Sequence, residues 1–274
     1  MNFVLEFFVL ITGIGAASGL HLKDEQLFLI SDDSNYLYEY HIESKDLSKH
    51  LLVGMKVNEG VSNKEKLDLE AITYYQDVYF LFSSGSKSNR NKSFNAIIEN
   101  RPQVNQMDMT DGYAHFRKQL GIASEDFNVE GALFYQDTLL LFNRGNGPEA
   151  RNGIIKVPKH QEDKSTFTAI DLPKIDGKVT GFTDAILIED KIYFLAAAES
   201  GGSSYEDGKI GGSQLGIIDL NTFRVEQVQT ISKEHKFEGI TYYQSNSEEI
   251  SFLLCEDPDN GSRESSIYQL KIKK

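Results

Sequence analysis

Apolar and polar residues alternate along this chain in short bursts, and the bursts recur. Five segments share one pattern: SGLHLKDEQLFLISDDS from Ser18, EAITYYQDVYFLFSSGS from Glu70, EGALFYQDTLLLFNRGN from Glu130, TDAILIEDKIYFLAAAES from Thr183 and EGITYYQSNSEEISFLLCEDPD from Glu238. Each has an apolar run rich in β-branched and aromatic residues, a polar turn such as Gln76-Asp77 or Gln136-Asp137, and a second apolar run. That order predicts a β-hairpin. The starts lie 52, 60, 53 and 55 residues apart. Weaker strand patterns follow each hairpin: Tyr36–Ile42 and His50–Val57, Phe94–Glu99 and Val104–Met109, Gly153–Val157 and Thr166–Leu172, Gln214–Asp219 and Arg224–Thr230. The fifth unit has Ser266–Ile272 alone and so lacks a fourth strand.

The apolar run Asn2–Ile11 supplies that strand and restores the period. Four-stranded units repeated radially and closed by such an exchange describe a β-propeller. The expected fold is therefore all-β: one five-bladed propeller domain over residues 1–274, with six blades as the alternative count. A targeting peptide is the competing reading of Met1–Leu20, but the run has no basic n-region and carries Glu6 inside it. No other stretch approaches the roughly 18 apolar residues of a membrane span. A cytoplasmic location follows as an expectation. One segment breaks the strand pattern: Asp111–Leu120 places Tyr113, Phe116 and Leu120 on a helical stripe, predicted to pack over one face of the disc.

Charge narrows the partners. The chain has 41 acidic and 28 basic residues, a net charge of −13. That disfavours non-specific nucleic-acid binding, which depends on neutralising phosphates, and suits cationic or neutral ligands. A single Cys, Cys255, excludes an internal disulfide and reads as a buried core residue. A soluble monomer with a small-molecule ligand and no nucleic-acid or membrane partner is expected. TGIGAASG at Thr12–Gly19 imitates a dinucleotide-binding turn, but no helix fits before the strand Leu27–Ile30. Serine-hydrolase, zinc-protease, P-loop and C-x-x-C motifs are absent.

The candidate chemistry lies at aligned positions. The first strands open on Glu70, Glu130 and Glu238, against Ser18 in the first unit and Thr183-Asp184 in the fourth. In a propeller these strands line the central channel, and the second strands end on the same face. That gathers Asp32, Asp33, Arg90, Arg144, Glu199, Glu256 and Asp257 at one mouth. Converging carboxylates repel unless a cation sits among them or their pKa values rise. Hard oxygen donors favour Ca²⁺, or Mg²⁺ with waters. An architectural role, capping neighbouring strands, also explains the repetition. Arg90 and Arg144 either hold an anionic ligand, with Asp32 and Glu256 as further substrate contacts, or pair with the channel glutamates. His235 and Glu199 are the candidate bases. The Gly/Ser-rich stretch Ala198–Gly212 is a candidate flap or a tolerated insertion.

The Glu-Ala and Glu-Gly steps, with ISDDS and LCEDPD at the next strand ends, resemble bacterial phytase-like and SMP-30/gluconolactonase-like propellers. DLEAI, GSKSNR, YAHFRKQLGI and FNVEGA together resemble a bacterial propeller family without an assigned activity. The first resemblance implies channel carboxylates holding calcium, with Glu70, Glu130, Asp184 and Glu238 as ligands and a phosphoester or lactone as substrate. Ser18, Thr183 and the two arginines depart from that pattern. Two functions follow: a Ca²⁺-dependent hydrolase of esters, lactones or phosphoesters, or a non-catalytic ligand- or protein-binding propeller.

Overall fold

A computed structural model describes residues 2–54, 64–200 and 209–274. Its strands form five four-stranded antiparallel sheets. Blade 1 holds β2 (Ala17–Lys23), β3 (Gln26–Ser31), β4 (Tyr36–His41) and β5 (Leu47–Leu51). Blade 2 holds β6 (Leu69–Tyr75), β7 (Val78–Ser83), β8 (Lys92–Ile97) and β9 (Gln103–Asp108). Blade 3 holds β10 (Val129–Tyr135), β11 (Thr138–Asn143), β12 (Gly153–Pro158) and β13 (Thr166–Ala169). Blade 4 holds β14 (Thr180–Ile188), β15 (Lys191–Ser200), β16 (Lys209–Asp219) and β17 (Val225–Ser232). Blade 5 holds β18 (Phe237–Ser245), β19 (Glu249–Glu256), β20 (Glu264–Lys273) and, outermost, β1 (Phe3–Thr12). The five-bladed count is correct, and the apolar N-terminal run is the strand that completes the last blade.

The hairpins of blades 1 to 4 turn on residues with positive φ, such as Asp24-Glu25 and Gln76-Asp77, which suits the twist of two-residue connections. The apolar sides of neighbouring blades meet in five cores. Leu20, Tyr38 and Leu253 join blades 1 and 5; Leu29 belongs to the same core. Phe142, Phe182 and Phe194 join blades 3 and 4. Fully burying one such side chain contributes roughly 1.5–3 kcal/mol. Near the axis the first strands approach too closely for side chains at some positions. A Cβ on Gly239 would come within 2.8 Å of the Gly19 Cα, and one on Gly131 within 3.1 Å of the Ala185 nitrogen.

The helix α1 spans Thr110–Leu120 and buries Tyr113 and Phe116 against Phe127 and Phe82. The Tyr113 hydroxyl donates to the Ser83 carbonyl at 2.9 Å, which fixes the helix over the end of β7. The ends of the Gly/Ser-rich stretch are strand, since β15 runs to Ser200 and β16 starts at Lys209, while 201–208, where the candidate flap falls, lie outside the described residues. The second strand expected at His50–Val57 sits earlier, at Leu47–Leu51, and 55–63 are likewise outside. Among the described residues, no helix is long and apolar enough to cross a membrane.

Candidate functional site

The aligned positions owe their geometry to a repeated backbone defect. In every blade the pairing of the first two strands slips by one residue: between Ala17 and Gly19, Leu69 and Ala71, Val129 and Gly131, Phe182 and Asp184, Phe237 and Gly239. The extra residues are Ser18, Glu70, Glu130, Thr183 and Glu238. A β-bulge releases its residue from the ladder and re-aims the side chain.

The five bulges do two different jobs. Ser18 Oγ donates to the Leu69 carbonyl, and Thr183 Oγ1 donates to the Phe237 carbonyl at 2.7 Å. Each acceptor belongs to the residue just before the next blade's bulge glutamate, so the hydroxyls stitch blade to blade. The three glutamates instead meet polar groups at the mouth. Asn128 Nδ2 donates to Glu130 Oε1 at 2.6 Å, with Arg144 Nη1 3.5 Å from the same oxygen. Lys236 Nζ lies 2.9 Å from Glu238 Oε1. A Cβ at Gly181 would stand 2.5 Å from Arg144 Cγ, so blade 4 stays bare there to admit the arginine of blade 3.

Blade 2 carries the densest network. Lys66 Nζ sits 2.5 Å from Asp32 Oδ2 and 3.0 Å from Asp68 Oδ1. Asp68 Oδ2 also accepts from Arg90 Nη1 at 2.8 Å and from Ser84 Oγ at 2.5 Å. Asp68 is buried, with φ of 56°, a left-handed conformation that Asp tolerates better than most residues. Burial pulls the Lys66 ammonium down, but Asp32, Asp68 and Glu70 outweigh it and leave its pKa raised. Burial pushes the Glu70 carboxyl well above the carboxylate range, and Asp68, Glu130 and Asp32 push the same way.

Among the described residues, Glu70 is the one predicted metal ligand that belongs to a group of three or more carboxylate, histidine or cysteine donors within 4.8 Å of one another, and its companions are Asp32 and Asp68. Asp184 is committed elsewhere. Its Oδ1 accepts from the Ala185 amide at 2.7 Å and its Oδ2 from the Ile240 amide at 2.8 Å, which ties blade 4 to blade 5. Burial nonetheless raises its pKa well above the usual value. His235 and Glu256, separately expected as base and substrate contact, are bonded to each other, with Nδ1 2.7 Å from Oε1. The His235 ring packs on Tyr268 with centroids 4.7 Å apart. Glu199 lies in β15, but its side chain is outside the described residues.

Asp32 also borders a cleft of about 330 Å³ between blades 1 and 5, lined by Asp33, Tyr38, Asp257, Asp259 and Arg263. Asp33 accepts from Ser31 Oγ at 2.7 Å. Burial raises Asp257 to about 8; Lys236 opposes this, while Asp259 and Glu238 add to it. Sequence reasoning missed Lys66 and Asp68 because they lie in the approach to β6, outside the aligned strand. A signal was present: the residue two places before each bulge glutamate is Asp68, Asn128 or Lys236, a polar position in all three blades.

A family model described as a family of unknown function, DUF6929, matches residues 13–272. No curated protein matches the chain. Several solved structures share the fold. Glutaminyl cyclase from Myxococcus xanthus is 10% identical with a TM-score of 0.55, covering 99% of this chain and 98% of that one. The major allergen Mala s 1 of Malassezia sympodialis is 11% identical, TM-score 0.58, with 95% of each chain covered. An exo-1,5-alpha-L-arabinanase from a bovine ruminal metagenomic library is 7% identical, TM-score 0.56, covering 97% of this chain and 98% of that one. At these identities the likeness is one of fold.

Proposed function

This chain belongs to the DUF6929 family of unknown function, and we propose that it is a ligand-binding propeller whose cleft between blades 1 and 5 receives a small molecule bearing a cationic group. The observation that carries this reading is the position of Lys66. Its ammonium bridges Asp32 and Asp68, at 2.5 and 3.0 Å, so the most crowded carboxylates of the mouth already hold a cation of the chain itself. Arg90 on Asp68 and Arg144 near Glu130 serve the same end, which argues against the anionic ligand expected at those arginines. On the cleft side, among the described residues, Asp33 is held by the Ser31 hydroxyl rather than by a cation. Lys236 already stands 4.0 Å from Asp257 and 3.3 Å from Asp259, so among the described residues Asp33 is the cleft carboxylate left to meet a cationic ligand.

Calorimetric titration with primary ammonium and guanidinium compounds, against neutral molecules of the same size, tests the reading. Ammonium compounds should bind more tightly, with affinity falling as salt rises. Asp33→Asn should weaken them about tenfold, the loss of roughly 1.4 kcal/mol. Equal binding of charged and neutral molecules, or an unchanged affinity in the variant, overturns it.

One observation favours a second reading, the metal-dependent hydrolase. The oxygens of Asp32, Asp68 and Glu70 approach within 4.8 Å, and hard oxygen donors of this kind suit Ca²⁺ or Mg²⁺. A bound ion would supply Lewis-acid polarisation of an ester, lactone or phosphoester. These carboxylates would hold it only after Lys66 moved away. Calcium or magnesium binding by the wild-type protein, abolished by Glu70→Gln, would favour this reading; binding seen only in Lys66→Met would show that the lysine fills the place of the ion.

A further inference from the structure

The outer strands of the five blades are unequal. β5 (LSKHL), β9 (QVNQMD) and β17 (VEQVQTIS) interleave charged and amide side chains, and β13 (TFTA) is only four residues long. Short or polar edges of this kind are how sheet proteins avoid pairing with other chains. β1 has neither protection. It is ten residues long, reads FVLEFFVLIT, and exposes Val4, Phe7 and Leu10 at 50%, 59% and 44%. Its one charge, Glu6, is met by Lys271 Nζ at 2.6 Å on the neighbouring strand. Among the described residues, no strand pairs with its outer edge.

We propose that this edge is a dimer interface, in which β1 pairs antiparallel with β1 of a second copy, Phe3 opposite Thr12, and joins the two fifth blades into one sheet. The argument for a second copy rests on self-complementarity. Against β20, β1 pairs Phe7 with Tyr268 but Val9 with Ile267, so the strand changes phase at Phe8. Facing residues of an antiparallel pair must be in the same phase. Across the bulge this condition is met only when residues an odd number of places apart face each other. The register with Phe3 opposite Thr12 meets it, uses the whole strand, and puts both bulges beside the two-fold axis. It sets Leu5 opposite Leu10 and Phe7 opposite Phe8, and Glu6 faces Val9 rather than its own copy. Like charges never stand opposite each other, and an isologous contact closes without leaving a further edge of β1. This departs from the monomer expected on the sequence.

Cysteine cross-linking tests both the contact and its register, since the only native cysteine, Cys255, is buried. Leu5→Cys and Leu10→Cys proteins, each oxidised alone, should remain uncross-linked, because each would face a leucine. Mixed together they should give a covalent dimer. Leu51→Cys on β5 is the control for random collision. Sedimentation should show a concentration-dependent dimer whose midpoint rises at least tenfold in Phe7→Lys, a change that lies on the surface and leaves the fold intact. A monomer at all concentrations overturns the proposal, as does a mixture that cross-links no faster than the Leu51→Cys control. A dimer unaffected by Phe7→Lys would place the interface elsewhere and overturn it equally.

Discussion

Blades 2 and 4 have the same four-stranded backbone and the same bulge, yet their rims are chemical opposites. Blade 2 offers Glu70 at the bulge and surrounds it with Asp68, Lys66, Arg90 and Ser84. Blade 4 offers Thr183, whose hydroxyl is spent on the Phe237 carbonyl, and beside it β14 and β15 pair Gly181 with Ala197 and Thr180 with Ala198, small residues with no charge. The bulge creates five equivalent addresses, and side-chain length decides which become sites. A hydroxyl is short enough to reach only the next blade's backbone and so serves architecture. A glutamate reaches past that backbone and has to be neutralised.

The contrast can be broken from either side. The largest effect is expected at Asp68→Ala. It leaves the largely buried Arg90 guanidinium without its carboxylate and the Lys66 ammonium with Asp32 alone, and removal of one partner from a buried pair costs about 3–5 kcal/mol. Urea unfolding would measure it; a loss below about 1 kcal/mol would mean that water replaces the network. The rim of blade 5 should reveal itself through pH. Asp257 is raised to about 8, so between about 4 and 8 the folded protein keeps a proton that the unfolded chain has released. Stability therefore falls as pH rises through that window. Asp257→Asn, which cannot titrate, should flatten the decline and leave the protein more stable than the wild type at pH 8. An unchanged pH profile would show that Lys236 keeps the carboxylate charged. The smallest effect belongs to blade 4. Thr183→Val deletes one hydrogen bond but keeps the volume, and should cost about 1 kcal/mol with no change in pH dependence.

Much of the architecture was legible because it repeats. Five hairpins, the helix over Asp111–Leu120 and the closing role of the N-terminal run all follow from local periodicity, which a pleated strand or a helix imposes on its own residues. The bulges were not legible, since a one-residue slip leaves no mark on an apolar run. Their side chains were nevertheless marked by the aligned Glu70, Glu130 and Glu238. The ligand set implied by resemblance did not converge as a cluster. Asp184 looks like a channel acid in the sequence, but it accepts amides from Ala185 and Ile240. His235 and Glu256, 21 residues apart, meet because β18 and β19 are antiparallel.

By itself, the sequence determined the blade count, the strand that closes the ring and the face on which polar residues collect. These depend on patterns within a few residues, repeated at a period of about 55. Only the tertiary structure decided which charges compensate each other. Lys66 reaches back to Asp32 across 34 residues of chain, and Asp184 ties to Ile240 across 56. Coulombic and hydrogen-bond energies depend on distances of a few ångströms in space, and the closure of the ring sets those distances.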